Sequence, residues 1–193
     1  MVQKRFLALT LAVFVLAIAA ISFASKEESV KDVFPMIGSA SAKADLLVVE
    51  ELNCPHCKEF QLNILPQIRK EYINSGKVKC RFVLVAYKKE SIAQVEVALA
   101  VSIKAPDRFE QFLEELFKNP KIKGLQIAEK LGIDVALVEQ ALQDGSAHDL
   151  LERSVALAEK LMGDDLAVPT VYLNGKDLGS PRLNELQESL NEV

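Results

Sequence analysis

The stretch Leu46-Leu47-Val48-Val49-Glu50-Glu51-Leu52-Asn53-Cys54-Pro55-His56-Cys57-Lys58-Glu59-Phe60 decides how this chain is read. An apolar run of strand length is followed at once by two cysteines three residues apart, and a helix-period segment begins behind them. At a strand-to-helix junction Cys54 occupies the exposed end and Cys57 lies one turn in, close enough to close a ring. Unsatisfied N–H groups and the helix dipole favour an anion at a helix start, so Cys54 is expected as a thiolate at neutral pH. Pro55 suits the first helical position, where a missing N–H costs nothing. His56 brings a donor or a positive charge beside the sulfur. That chemistry suits the making and breaking of disulfides.

Two blander readings compete. A zinc site needs about four ligands, and besides the pair only Cys80 and the isolated His148 offer themselves. An inert structural disulfide is the other. Haem attachment needs His directly after the second Cys, and position 58 is Lys. No metal or other cofactor is expected.

Outward from the motif, the 193 residues, half of them apolar and none Trp, allow one domain with a sizeable core. Residues 1–24 stand apart. Lys4-Arg5 precede an apolar stretch from Phe6 to Ala24 that ends Ser22-Phe23-Ala24, the pattern of a leader with a small-x-small cleavage site. Cleavage after Ala24 is the first reading; an uncleaved anchor over residues 6–24 is the alternative. Either way the domain of residues 25–193 is expected outside the cytoplasm, in the periplasm or an equivalent oxidising compartment, where disulfides persist. Loss of Lys4 and Arg5 takes the net charge from −4 to −6, which argues against a nucleic-acid partner.

Phe34–Gly38 reads as a short edge strand and turn, and residues 46–52 as a buried strand. Phe60, Ile64, Ile68 and Tyr72 put one face of the motif helix inward. Pro66 is expected to kink it and Gly76 to end it. Val78, Cys80, Phe82 and Leu84 alternate in a strand over 77–87, which makes Cys80 a buried, inert thiol. About 90–162 the pattern is helical: Ile92, Val95 and Leu99 mark one helix, Phe109 to Phe117 another. Asp134 is read as an N-cap, and Ser146–Asp149 as a capping box that leaves His148 exposed. Thr170–Leu173 is a strand entered through Val168-Pro169, Asn174-Gly175 is a type I′ hairpin turn, and Arg182–Leu190 is a closing helix.

This order, with Met36-Ile37-Gly38, Cys54-Pro55-His56-Cys57 and Val168-Pro169-Thr170-Val171-Tyr172-Leu173-Asn174-Gly175, resembles the DsbA-like exported thiol–disulfide oxidoreductases over about 36–190. The resemblance implies an α/β thioredoxin fold with a helical insertion between the second motif strand and the cis-proline strand. It implies Cys54 as nucleophile, Cys57 as resolving thiol, His56 as thiolate stabiliser, and Pro169 as a cis-proline facing the sulfurs. Val168 and Thr170 would meet an extended substrate by strand addition. Many relatives carry a buried acid six residues before the first Cys. That position is Val48 here, and Glu50, on the same face, is the candidate proton relay in its place. Leu52 and Asn53 stand where aromatics often precede the motif, so a thinner apolar rim is expected. The implied partners are reduced client proteins and a quinone-linked membrane re-oxidase, with the chain a monomer. An oxidase is the leading reading, since stabilising the Cys54 thiolate makes the disulfide more oxidising. A monomeric reductase fed by a membrane electron donor and a non-catalytic thioredoxin-like binding module are the alternatives.

Overall fold

The computed structural model describes residues 34–163 and 166–193. The proposed leader or anchor, and the residues up to 33, lie outside the described residues.

Five strands form one mixed sheet: β1 (Met36–Ile37), β2 (Ala44–Glu51), β3 (Val78–Val85), β4 (Thr170–Leu173) and β5 (Lys176–Asp177). Their spatial order is β1-β3-β2-β4-β5. The long central pair β2 and β3 is parallel, with Leu46 opposite Cys80 and Glu50 opposite Leu84. β1 and β4 flank this pair antiparallel, and β5 pairs antiparallel with β4. Buried on both faces, β2 and β3 read as near-continuous apolar runs. Leu46, Val48, Val49, Phe82, Val83, Leu84 and Val85 are fully enclosed.

The motif helix is α1 (Pro55–Glu59), then a π-helical turn (Phe60–Ile64), α2 (Leu65–Ile68) and a second π turn (Arg69–Ile73). The expected kink at Pro66 takes this form. Proline has no N–H to give to the turn before it, and that turn widens so that Leu65 N–H reaches back to Phe60 O. The extra residue per turn rotates the helix. Leu65 goes into the core at 2% exposure while Ile64, expected there by strict spacing, is half-buried.

Gly38 and the Asn174-Gly175 pair show where glycine is needed. Gly38 has φ +92°, and a Cβ on it would stand 2.8 Å from Ile73 Cγ2 and 2.9 Å from Val78 O. Asn174 and Gly175 have φ of 51° and 83°, as a type I′ turn requires.

Between β3 and β4 lie five helices: α3 (Lys89–Lys104), α4 (Pro106–Lys118), α5 (Gly124–Lys130), α6 (Val135–Gln143) and α7 (Ser146–Met162). Phe82 of β3 meets Phe109 of α4 at a ring-centroid distance of 5.7 Å, which seats this block on the sheet. Asp134 caps α6 by accepting from Ala136 N–H at 3.0 Å. The capping box expected at Ser146 does not form. Gly145, with φ +81°, takes the N-cap position, and Ser146 is already helical with its N–H on Asp144 Oδ1. His148 is exposed as expected, yet it has a partner the sequence did not suggest. Its Nδ1 lies 2.7 Å from Glu96 Oε1 on α3, which raises its pKa. The closing helix α8 (Leu183–Asn191) docks on the end of the motif helix, where Tyr72 Oη donates to Asn191 Oδ1 at 2.9 Å.

Candidate active site

β2 ends at Glu51, and Cys54 becomes the N-cap of α1 with extended backbone, φ −83° and ψ 120°. A helix start leaves backbone N–H groups without intrahelical partners, and a capping side chain accepts one of them. Here that acceptor is sulfur: Cys57 N–H donates to Cys54 Sγ at 3.3 Å. Pro55 lies in the first helical turn, where its missing N–H leaves no gap. Cys54 is half-buried, His56 beside it is exposed, and Cys57 is fully enclosed. All three cysteines are free thiols.

The second arm of the site is the entry to β4. The Val168–Pro169 peptide is cis. Val168 O lies 3.3 Å from Cys54 Sγ and accepts from its thiol, so the Pro169 loop lies against the exposed cysteine. Pro169 is buried and Val168 half-buried. Thr170, expected at the substrate edge, is also buried, and its hydroxyl donates inward to Ala167 O at 2.7 Å.

Behind the pair the sheet supplies an acid. Glu50 has no exposed surface, and Gln61 Nε2 donates to both of its carboxyl oxygens, at 2.7 and 2.9 Å. Desolvation pushes the Glu50 carboxyl up to about 8, against the smaller opposing pull of the Gln61 hydrogen bond. The Cys57 thiol is pushed well up, first by burial and then by the Glu50 charge. Cys57 Sγ also accepts from Glu51 N–H at 3.5 Å, which places it over the peptide that joins Glu50 to Glu51. Glu51 itself turns to the loop, where it accepts from Asn53 N–H at 2.9 Å.

Several residues differ from expectation or were missed. Leu52 is buried at 8% and so lends little to a rim, whereas Asn53 is exposed. Tyr87, two residues past the end of β3, stands 42% exposed. Its hydroxyl pKa is raised first by desolvation and then by the charges of Cys57 and Glu51. The sequence places Tyr87 as the last residue of a strand over 77–87, whereas β3 ends at Val85. Gln61 was missed because a lone Gln in a helix carries no signature. Cys80, on β3 beside Leu46 and Ile37, is enclosed and is not brought to the pair. Among the described residues, no group of three or more His, Cys, Asp or Glu is arranged to hold a metal ion.

A family model described as thioredoxin matches residues 30–192. The chain belongs to the thioredoxin family. Disulfide bond formation protein D of Bacillus subtilis is 28% identical over 151 residues, covering 74% of this chain and 68% of that protein. A probable disulfide bond formation protein D of Bacillus cereus is 23% identical over 168 residues, 81% of this chain and 76% of the relative. The crystal structure of oxidised BdbD from Bacillus subtilis superposes with a TM-score of 0.73 at 26% identity, over 83% of this chain and 92% of that one. Chlamydia trachomatis DsbA shares the fold, with a TM-score of 0.74 at 21% identity over 83% and 91% of the two chains. The fold shared with these structures is the thioredoxin fold, here with α3 to α7 inserted between β3 and β4.

Proposed function

We propose that this thiol–disulfide oxidoreductase works as an exported oxidase that donates the Cys54–Cys57 disulfide to folding client proteins. One observation carries the reading: an accessible sulfur caps a helix and accepts the Cys57 N–H, while its partner sulfur is enclosed behind it. The Cys57 N–H aimed at Cys54 Sγ favours negative charge on that sulfur, which only the reduced enzyme can carry. It therefore favours reduction of the pair and makes its disulfide a stronger oxidant. The Val168 carbonyl, which accepts from the thiol, pulls against it, and the reduction potential measures the balance.

The exchange runs in two displacements. A client thiolate attacks Cys54 Sγ, the bond to Cys57 breaks, and Cys57 leaves with the electron pair. Enclosed as it is, that sulfur needs a proton, and Glu50 supplies it. A second client thiolate then attacks the client sulfur of the mixed disulfide and Cys54 departs as a thiolate. The client loses two electrons and the pair gains them. Val168 and Thr170 offer main chain to the client, with Pro169 holding that edge against the pair and His56 lending charge beside Cys54. A quinone-linked membrane disulfide donor restores the pair by the reverse steps. Among the described residues no helix is long and apolar enough to cross a membrane.

The test is the reduction potential of the pair in glutathione buffers. A value near the oxidising end of the family range, about −120 mV, supports the oxidase; one near −270 mV turns the assignment to a reductase fed by a membrane electron donor.

A further inference from the structure

Cys57 and Gln61 are four residues apart and share the inward face of the motif helix. Both are enclosed, Gln61 at 4% exposure. Buried polar groups are ordinarily hydrogen-bonded, and the Gln61 amide nitrogen donates to both oxygens of one carboxyl group, that of Glu50. Cys57 Sγ accepts the Glu51 N–H, so it sits at the peptide that joins Glu50 to Glu51, and the Glu50 charge acts on its thiol. Gln61 also belongs to the first π turn, a distortion often found at functional sites.

We propose that Gln61 is a positioning residue of the exchange reaction, holding the Glu50 carboxyl under Cys57 so that a proton passes between the two. The inference rests on the reading of Glu50 as the relay. It adds what keeps a relay working two residues away from the place where many relatives carry their acid.

The choice of a neutral donor matters. A Lys or Arg at 61 would hold Glu50 permanently charged, as opposite charges do at close range. With no donor, a carboxyl in this enclosure would stay protonated. A single amide stabilises the carboxylate without adding charge, which leaves Glu50 able to change state near neutral pH. The Glu50 charge acts on two thiols, Cys57 from the motif helix and Cys80 from β3. Leu84 stands opposite Glu50 in register.

Ring closure shows the step most simply. In a mixed disulfide between Cys54 and glutathione, Cys57 gives its proton to the Glu50 carboxylate. The Cys57 thiolate attacks Cys54 Sγ, the Cys54–Cys57 bond forms, and the bond to glutathione breaks. Glutathione leaves as a thiolate and takes a proton from water.

The mixed disulfide with glutathione, prepared in acid, is jumped to a series of pH values between 5 and 10, and glutathione release is timed. The wild-type rate should rise with an inflection near the Glu50 value of about 8. Gln61→Met keeps the bulk and removes the donor; its inflection should move up by about one to two pH units, and its rate at pH 7 fall roughly tenfold. Glu50→Gln should lose the inflection and about a hundredfold in rate. An inflection lost in Glu50→Gln but unmoved in Gln61→Met overturns the role of Gln61 and leaves the relay standing. An inflection that survives in Glu50→Gln removes the relay and this inference together. Should Gln61→Met fail to fold, the wild-type side-chain amide resonance of Gln61 decides: it should titrate with the same midpoint as ring closure, and a flat response overturns the proposal.

Discussion

Strand β2 carries acids near both ends, and the fold treats Asp45 and Glu50 in opposite ways. Asp45, at the start, keeps 26% of its side chain exposed and pairs with Arg81 of β3, whose Nε donates to Oδ1 at 2.9 Å. Glu50, near the other end, has no exposed surface, and its partner is the neutral Gln61 amide. One acid is answered by a cation. The other is answered by a dipole and by burial, so it stays titratable. The thiols follow the same division. Cys80 is enclosed in mid-strand, and burial with the surrounding acids pushes its pKa well up. Cys57 is equally enclosed but has Cys54 one turn away and Glu50 behind it. Burial is common to Glu50, Cys57 and Cys80; what separates the Cys57 end is a half-buried sulfur beside it and an acid answered by no cation.

The bluntest way to break this contrast is to remove the sulfurs in turn. Cys54→Ser should abolish thiol exchange with a reduced model peptide. Cys57→Ser should instead accumulate a mixed disulfide through Cys54, visible by mass spectrometry, because nothing remains to resolve it. Residual exchange in Cys54→Ser near the wild-type rate would mean the accessible sulfur had been misplaced.

The contrast between the acids sharpens in stability. The Glu50 pKa rises on folding from an ordinary 4.5 to about 8. The folded state therefore holds a proton that the unfolded state releases. The stability this contributes is fully present below about pH 4.5 and is lost as pH rises through about 8. At about 1.4 kcal/mol per pH unit, the loss over that window is on the order of 5 kcal/mol. Urea melts from pH 5 to 8 should show the wild type weakening and Glu50→Gln much flatter, with the variant the more stable of the two at pH 8. Parallel slopes would show that Glu50 does not titrate in the folded core. A variant that gains stability while losing ring closure places the cost of the site in this one side chain.

The opposite end should behave as an ordinary ion pair. Asp45→Asn should cost about 1 kcal/mol, a loss that shrinks with added salt, and should leave exchange rates alone. A change in ring closure on replacing Asp45 would tie the two ends of β2 together and dissolve the contrast.

What the sequence showed of this follows from the range of each interaction. The strand at 44–51, the cysteine pair at a helix start, the Asn174-Gly175 turn and the Pro169 entry to β4 are set by residues adjacent in the chain, and local pattern finds them. The Glu50–Gln61 pair spans eleven residues and two elements, and a glutamine says nothing about its partner until strand and helix are superposed. The π turns escaped because fixed helical spacing cannot register an added residue, which is why Leu65 fills the place assigned to Ile64. Ser146 was misread as a cap because Gly145, free to adopt positive φ, starts that helix one residue earlier. Tyr87 escaped because the groups whose charges act on it, Cys57 and Glu51, are distant in sequence.

The smallest effect expected is at Cys80, and it isolates burial from reactivity. Its side chain is enclosed between Leu46 on β2 and Ile37 on β1 in cross-strand register, on the same face of the sheet as Glu50. Burial comes first, and the Glu50 charge second, in pushing its thiol pKa up, so in the folded state it is neither accessible nor ionised near neutrality. Iodoacetamide at pH 8 should therefore modify Cys54 promptly in the reduced protein and leave Cys80 untouched, until denaturant opens the sheet. The Cys80→Ala protein should keep its exchange rate and lose about 1–2 kcal/mol from the small cavity, with less lost if β1 settles inward. Labelling of Cys80 as fast as Cys54 in the folded protein would mean that the edge strand β1 opens readily. Enclosure would then no longer explain the silence of this thiol, and its distance from Cys54 would have to carry the difference alone.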